Sequence, residues 1–183
     1  MAVTVTPAEF TMVFYDAARI ASVADEVLGL LGLDDDLLIE VDERTPVARV
    51  TVTDGAPVVI HAESGAFEDT RKPRAMSEAT VQLALGRVLL RLRDRRDGGF
   101  AEAPADDQLS LAQVAAWDTY VLGRLDRMGL AMHEQRWHYN FRNRHGFSDA
   151  ADAAFDELWR ADGLTWGGVS AVSERALGAA AVG

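Results

Sequence analysis

The spacing of the apolar residues changes twice along this chain, and that change restricts the fold more than any other feature of the sequence. Thr6-Pro7-Ala8-Glu9 places a capping threonine before a proline at the first helical position and a glutamate at the third. Phe10, Val13, Phe14, Ala17, Ile20, Ala24, Val27, Leu28 and Leu31 then recur at threes and fours, which predicts an N-terminal helix buried on one face and closed at Gly32. After Asp34-Asp35-Asp36 the period falls to two. Leu37 to Val41, Val47 to Thr53 and Pro57 to His61 are rich in Val, Ile and Thr, and the last two flank the turn signal Asp54-Gly55. They predict a small three-stranded antiparallel sheet, with one wet face because Arg49 and Thr51 alternate with Val50 and Val52.

Helical spacing then returns. Ser77 caps a helix from Glu78 to Arg96 with Val81, Leu85, Val88 and Leu92 on one stripe and Leu83 and Leu90 opposite, so it is expected to be covered on both faces, between the strands and the C-terminal helices. Ser110 and Gln113 form a capping box ahead of Val114, Trp117, Val121, Leu125 and Met128, and Gly129 stops that helix. A further helix is expected from Met132 to Arg144, ending at Gly146. Ser148-Asp149 opens another, which Gly163 closes, and Thr165 to Leu177 forms the last, before a frayed tail from Gly178 to Gly183. The fold class is therefore α+β: N-terminal helix, three-stranded antiparallel sheet, central buried helix and C-terminal helical layer. Helix should cover about 55% of residues and strand about 10%, in no more than five strands. The chain reads as a single domain over 1–183, with a subdomain boundary available in the acidic Gly/Ala/Pro-rich stretch 97–109, between an α+β part (1–96) and a helical part (110–178).

Composition removes several classes of function. There is no cysteine, so disulfides, thiolate nucleophiles and cysteine-based metal centres are excluded. A net charge of −11 opposes nonspecific binding to nucleic acid or anionic lipid. No stretch of apolar residues is long enough to span a bilayer, and residues 1–9 lack the features of a secretory signal, so the expectation is a cytoplasmic protein with no membrane partner. Arginine outnumbers lysine 17 to 1, a bias that GC-rich codon usage would produce, so a bacterial origin is expected.

Three groups of residues could carry chemistry. The segment Met132-His133-Glu134-Gln135-Arg136-Trp137-His138 invites comparison with a zinc-binding helix, but its two histidines are five apart, about 140° around the axis, and do not share a face. Glu134 and His138 are correctly spaced, and His145 follows seven residues later, so a Glu134/His138/His145 metal site can form if the helix continues that far and a fourth group arrives from elsewhere. A plain surface carboxylate–imidazole pair is the commoner outcome of such spacing. His61 and Glu63 are the second group: they project to the same face at the end of a strand, where loops often carry function. The third is Arg71, Lys72 and Arg74, a candidate anion site at the start of a basic stretch continuing through Arg87, Arg91, Arg93, Arg95 and Arg96. Pairing of these arginines with the chain's own excess acids is the preferred account of that stretch, because the overall field repels polyanions.

The strand Pro57-Val58-Val59-Ile60-His61, the loop Ser64-Gly65-Ala66, the capped entry Ser77-Glu78 and the long helix that follows resemble the core unit of the zincin-type metallopeptidases. In that family the strand runs along the substrate cleft and the helix carries HExxH. Here the helix begins Glu78-Ala79-Thr80-Val81-Gln82, and no histidine occurs from Ala62 to Met132, so the family's metal ligands and catalytic glutamate have no counterparts. The resemblance covers residues 57–96 and implies a degenerate, non-peptidase relative.

The sequence therefore favours a non-catalytic interaction or regulatory protein with a protein partner, no cofactor and no nucleic acid. A metal-dependent hydrolase using Glu134, His138 and His145 is the alternative, and a small anionic-ligand module at Arg71, Lys72 and Arg74 the third reading.

Overall fold

The computed structural model describes residues 2–180, which group into two compact units divided between Leu92 and Arg93. Among the described residues there are six strands and six helices, with about 16% strand.

In the first unit, β1 (Val3–Thr6), β2 (Leu37–Asp42), β3 (Val50–Thr53) and β4 (Val58–Glu63) form one sheet in the order β1-β2-β4-β3. β2 is parallel to both β1 and β4, and β3 is antiparallel to β4. The sheet is thus four-stranded and mixed, not the three-stranded antiparallel meander the sequence led us to expect. Val3 and Val5 alternate with Thr4 and Thr6, a period-two pattern that pairs with Leu37 to Glu40 and overrides the helix-start signal at Thr6-Pro7. Helix α1 (Ala17–Leu31) accordingly starts ten residues later than Pro7, with Asp16 capping it by accepting from the Arg19 amide at 3.1 Å and Gly32 closing it at φ 64°. Phe10, Val13 and Phe14, expected inside the helix, lie instead in the loop between β1 and α1.

The core of this unit is built from Ile20, Val23, Ala24, Val27 and Leu28 of α1 with Val5, Leu37, Ile39, Val41, Val58 and Ile60 of the sheet, all buried. β5 (Glu68–Asp69) and β6 (Lys72–Met76) form a separate antiparallel pair, and α2 (Glu78–Arg96) has the predicted bounds, with Val81, Leu85, Leu89, Leu90 and Leu92 buried. β5 and β6 bring the strand number to six, one more than expected.

The second unit is helical. α3 (Leu111–Arg127) carries the expected capping box and is buried at every position from Ala115 to Leu125. α4 (Glu134–His145), α5 (Asp149–Arg160) and α6 (Trp166–Ala180) pack around it. α6 continues through Gly178 where a frayed tail was expected; residues 181–183 of that tail lie outside the described residues. A buried ion pair organises this unit: Arg124 donates to both Asp94 oxygens at 2.8 and 2.5 Å, Trp117 Nε1 donates to the same carboxylate at 3.0 Å, and the guanidinium lies 3.9 Å from the Tyr120 ring centroid. No described helix is long and apolar enough to cross a membrane.

The α3–α5 crossing is close because Gly123 has no side chain: a Cβ there would sit 2.0 Å from the Trp159 carbonyl oxygen. Gly123→Ala is expected to destabilise by about 1–3 kcal/mol. Gly29→Ala, on an exposed part of α1 with nothing within 4 Å, is expected to stabilise by up to about 1 kcal/mol through helix propensity. Urea unfolding of the two variants reads these opposite signs directly.

Candidate functional site

Alternation along the strands turns one set of side chains into the core and the other onto the opposite face of the sheet. The register places Thr6, Glu40, His61 and Thr51 in one row across all four strands of that sheet, and Asp42 and Glu63 in the next. With Arg49 they line a cavity of about 580 Å³. His61 Nδ1 lies 2.7 Å from Glu40 Oε2, so the Nδ1 hydrogen faces the carboxylate. Glu63 Oε1 is 3.5 Å from Arg49, and Glu63 Oε2 is buried with no hydrogen-bond partner. Asp42 is already engaged by the Arg44 amide at 2.9 Å and the Thr45 hydroxyl at 2.8 Å, which hold its carboxyl below the usual range. Glu40 and His61 have the geometry of an imidazole oriented by a carboxylate. Among the described residues no hydroxyl is hydrogen-bonded to His61.

A second surface forms where β2 ends. Glu43 accepts from the Thr11 amide at 2.8 Å, the Met12 amide at 2.7 Å and the Thr11 hydroxyl at 3.0 Å. These bonds, the Met12 amide first, hold its carboxyl below the usual range. The Phe14 amide donates to the Arg74 carbonyl at 2.7 Å, in a bridge to β6. The Tyr15 hydroxyl donates to the Ser64 carbonyl at 2.5 Å, and burial, reinforced by Glu68, pushes Tyr15 up to about 12. The loop is thus tied down from both ends, yet Phe14 is 78% exposed and Met12 51%. They border a groove of about 410 Å³ with Arg44, Pro46 and Arg74, and Val47 beside Pro46 in the chain is also exposed. Arg74 stands at φ 63°, a conformation costing a non-glycine residue about 1–3 kcal/mol. Its amide donates to Glu68 Oε1 at 3.0 Å, which helps to hold it there.

The charges around this groove are sorted. Asp42, Glu43, Glu68 and Asp69 each accept from a backbone amide. Arg44, Arg71, Lys72 and Arg74 have no carboxylate within 4.0 Å among the described residues. Arg71, Lys72 and Arg74 are all exposed on the turn and strand of the β5–β6 hairpin, and Arg74 alone of the three lines the groove. Farther along the basic stretch, Arg95 is held by Asp106 at 2.6 Å, and Arg87, Arg91, Arg93 and Arg96 are each engaged within the protein.

The structure does not bring Glu134, His138 and His145 together. Glu134 is exposed at the start of α4. His138 Nε2 pairs with Asp152 Oδ1 at 2.8 Å on α5, where Arg142 also donates twice, at 2.6 and 2.5 Å. His145 is buried, its Nδ1 hydrogen on the Phe141 carbonyl at 3.2 Å and its Nε2 accepting from the Ser173 hydroxyl at 2.8 Å. Seven residues of regular helix separate the two imidazoles by about 10 Å along the axis, too far for one ion. Among the described residues no three His, Asp or Glu side chains are placed to hold a metal. Sequence reasoning missed Glu43, Met12 and Phe14 as functional candidates because it placed the latter two in a helix; the Val/Thr alternation of residues 3–6 was the available signal against that helix start.

No family model matches this chain, and neither a curated protein nor a solved structure is similar to it.

Burial pushes the His145 imidazole down, outweighing the Phe141 carbonyl, which favours the charged form, so the folded state prefers the neutral ring. A folded value below the unfolded one means that this contribution is present above about pH 6.5 and is lost as pH falls through the folded value. Urea stability should therefore fall from pH 7 to pH 5, and His145→Gln should make that fall shallower. Arg142, then His138, hold Asp152 at about 2, so its contribution disappears only at a still lower pH, below the ordinary aspartate value.

Proposed function

We propose that this protein is a non-catalytic interaction module that docks a segment of another protein, apolar at its centre and acidic at its flanks, onto the groove beside Met12 and Phe14. One observation carries this reading: the loop backbone is fastened by Glu43 and Arg74 while the Met12 and Phe14 side chains face water. A pre-fastened loop loses little conformational freedom when a partner binds. Burying an exposed Phe or Met side chain supplies about 1.5–3 kcal/mol. Aromatic residues, Met and Arg are the types enriched at protein interfaces, and Arg44 and Arg74 stand at the rim without ion partners. Charge complementarity therefore selects an acidic flank. The strand–loop–helix of residues 57–96 fits this reading as that of a degenerate, non-peptidase relative of the zincin-type enzymes.

The test is fluorescence anisotropy with a labelled ten-residue peptide carrying a central Leu-Trp pair between glutamates, against the same peptide with lysines. The acidic peptide should bind with Kd of about 100 µM or tighter and at least about tenfold better than the lysine version. Phe14→Ala should abolish binding. Arg74→Gly should weaken it while leaving stability within about 1 kcal/mol, because glycine relieves the positive φ. Equal binding of the two peptides, or full binding by Phe14→Ala, would overturn the reading.

A further inference from the structure

The chain has no cysteine, so all of its oxidisable sulfur is in methionine. Among the described residues the methionines differ sharply in access. Met132 is buried at 3% exposure, Met76 and Met128 are half-buried, and Met12 is 51% exposed. Met76 Sδ is engaged as well, accepting from the Asp16 amide at 3.5 Å. Met12 is fixed by its backbone instead: its amide donates to Glu43 at 2.7 Å while its side chain lines the groove beside Phe14.

Two neighbours on that groove give oxidation of Met12 a consequence. Arg44 and Arg74 line it too, and neither has a carboxylate within 4.0 Å among the described residues. A thioether is an apolar body with a weakly accepting sulfur, whereas a sulfoxide is polar and carries a good acceptor oxygen. Oxidation therefore exchanges an apolar contact for an acceptor set among the guanidinium donors that a partner's carboxylates would use.

We propose that Met12 is a site of reversible oxidation by hydroperoxides, and that its sulfoxide closes the groove to the acidic-flanked apolar segment. The closing of the groove rests on the docking reading above; the site of oxidation does not. In the step, a lone pair on Sδ attacks one peroxide oxygen, the O–O bond breaks and an S–O bond forms. The proton of the attacked oxygen passes to the leaving oxygen, which departs as water or an alcohol; sulfur is oxidised and the peroxide reduced. Thiol-dependent methionine sulfoxide reductases reverse the change. Because Glu43 holds the Met12 amide and not its sulfur, oxidation removes the contact and leaves the loop backbone fastened.

The experiment titrates hydrogen peroxide onto the full chain at neutral pH, reads oxygen uptake at each methionine by peptide mass mapping, and measures anisotropy of the acidic peptide with each sample. Met12 should oxidise at least about fivefold faster than Met76 and Met128, with Met132 slowest. The sulfoxide form should bind the acidic peptide at least about tenfold more weakly, and reductases of both stereospecificities should restore the affinity. Met12→Leu, which keeps the apolar bulk without the sulfur, should bind within about threefold of the wild type and be indifferent to the same peroxide dose. Met12 oxidising no faster than Met76 and Met128 overturns the site. Equal binding by the sulfoxide form, or equal loss of binding in peroxide-treated Met12→Leu, overturns the closing of the groove. A chain that binds no acidic peptide even before oxidation sinks the docking reading and the closing together, and the oxidation rates alone then decide the site.

Discussion

Strand β2 is hydrogen-bonded on both sides to parallel neighbours, and the register of those two ladders places everything of functional interest in the first unit. Leu37, Ile39 and Val41 must face the core, so Leu38, Glu40 and Asp42 face the other way. A slip of one residue would exchange the two sets, burying two carboxylates and exposing three large apolar side chains. With the register fixed, Glu40 stands opposite His61, Asp42 opposite Glu63, and Glu43 leaves the strand end where it meets the Thr11 and Met12 amides. The cavity and the fastened loop are therefore consequences of one pairing.

The two units use their charges differently. In the helical unit, ions are spent internally: Asp94 on Arg124 and Trp117, Asp152 on Arg142 and His138, Glu157 on Arg175. The buried Asp94 pair and the half-buried Asp152 pair hold a packing arrangement in place and are costly to break from one side, whereas the exposed Glu157–Arg175 pair contributes little. In the sheet unit, the carboxylates near the groove are bound to backbone amides, which shapes loops, while four cations are left without close carboxylates. A net charge of −11 opposes an acidic partner at long range, so the contacts at Arg44 and Arg74 act over the last few ångströms and not as a steering field.

Much of this was legible in the sequence where local chemistry and tertiary packing agree. The Ser110–Gln113 box, the Ser148 cap, the Gly32 and Gly129 terminations and the bounds of the Glu78–Arg96 helix all follow from side chains that act on their own backbone. The placement of His61 and Glu63 on one cavity follows equally from period two. What was not legible depended on distant partners. Thr6-Pro7-Ala8-Glu9 is a good helix start, but Val3 to Thr6 gain a full ladder from β2, and a capping box alone does not compete with that. Parallel pairing of β1, β2 and β4 carries no local signature, since the Asp54-Gly55 turn announces only the β3–β4 hairpin. Seven-residue spacing suggested that His138 and His145 share a face, and they do, yet each found a partner on a different helix.

The central claim is that the loop carrying Met12 and Phe14 is held rigid by bonds to Glu43 and Arg74 before any partner arrives. Residue-resolved amide hydrogen exchange on the free protein tests it most directly. The account predicts that the Thr11, Met12 and Phe14 amides exchange roughly a hundredfold or more slowly than an unstructured peptide. In Glu43→Gln, Thr11 and Met12 should lose most of that protection while Phe14, bound to the Arg74 carbonyl, keeps it. Exchange of all three at unstructured-peptide rates in the wild-type chain would contradict the account.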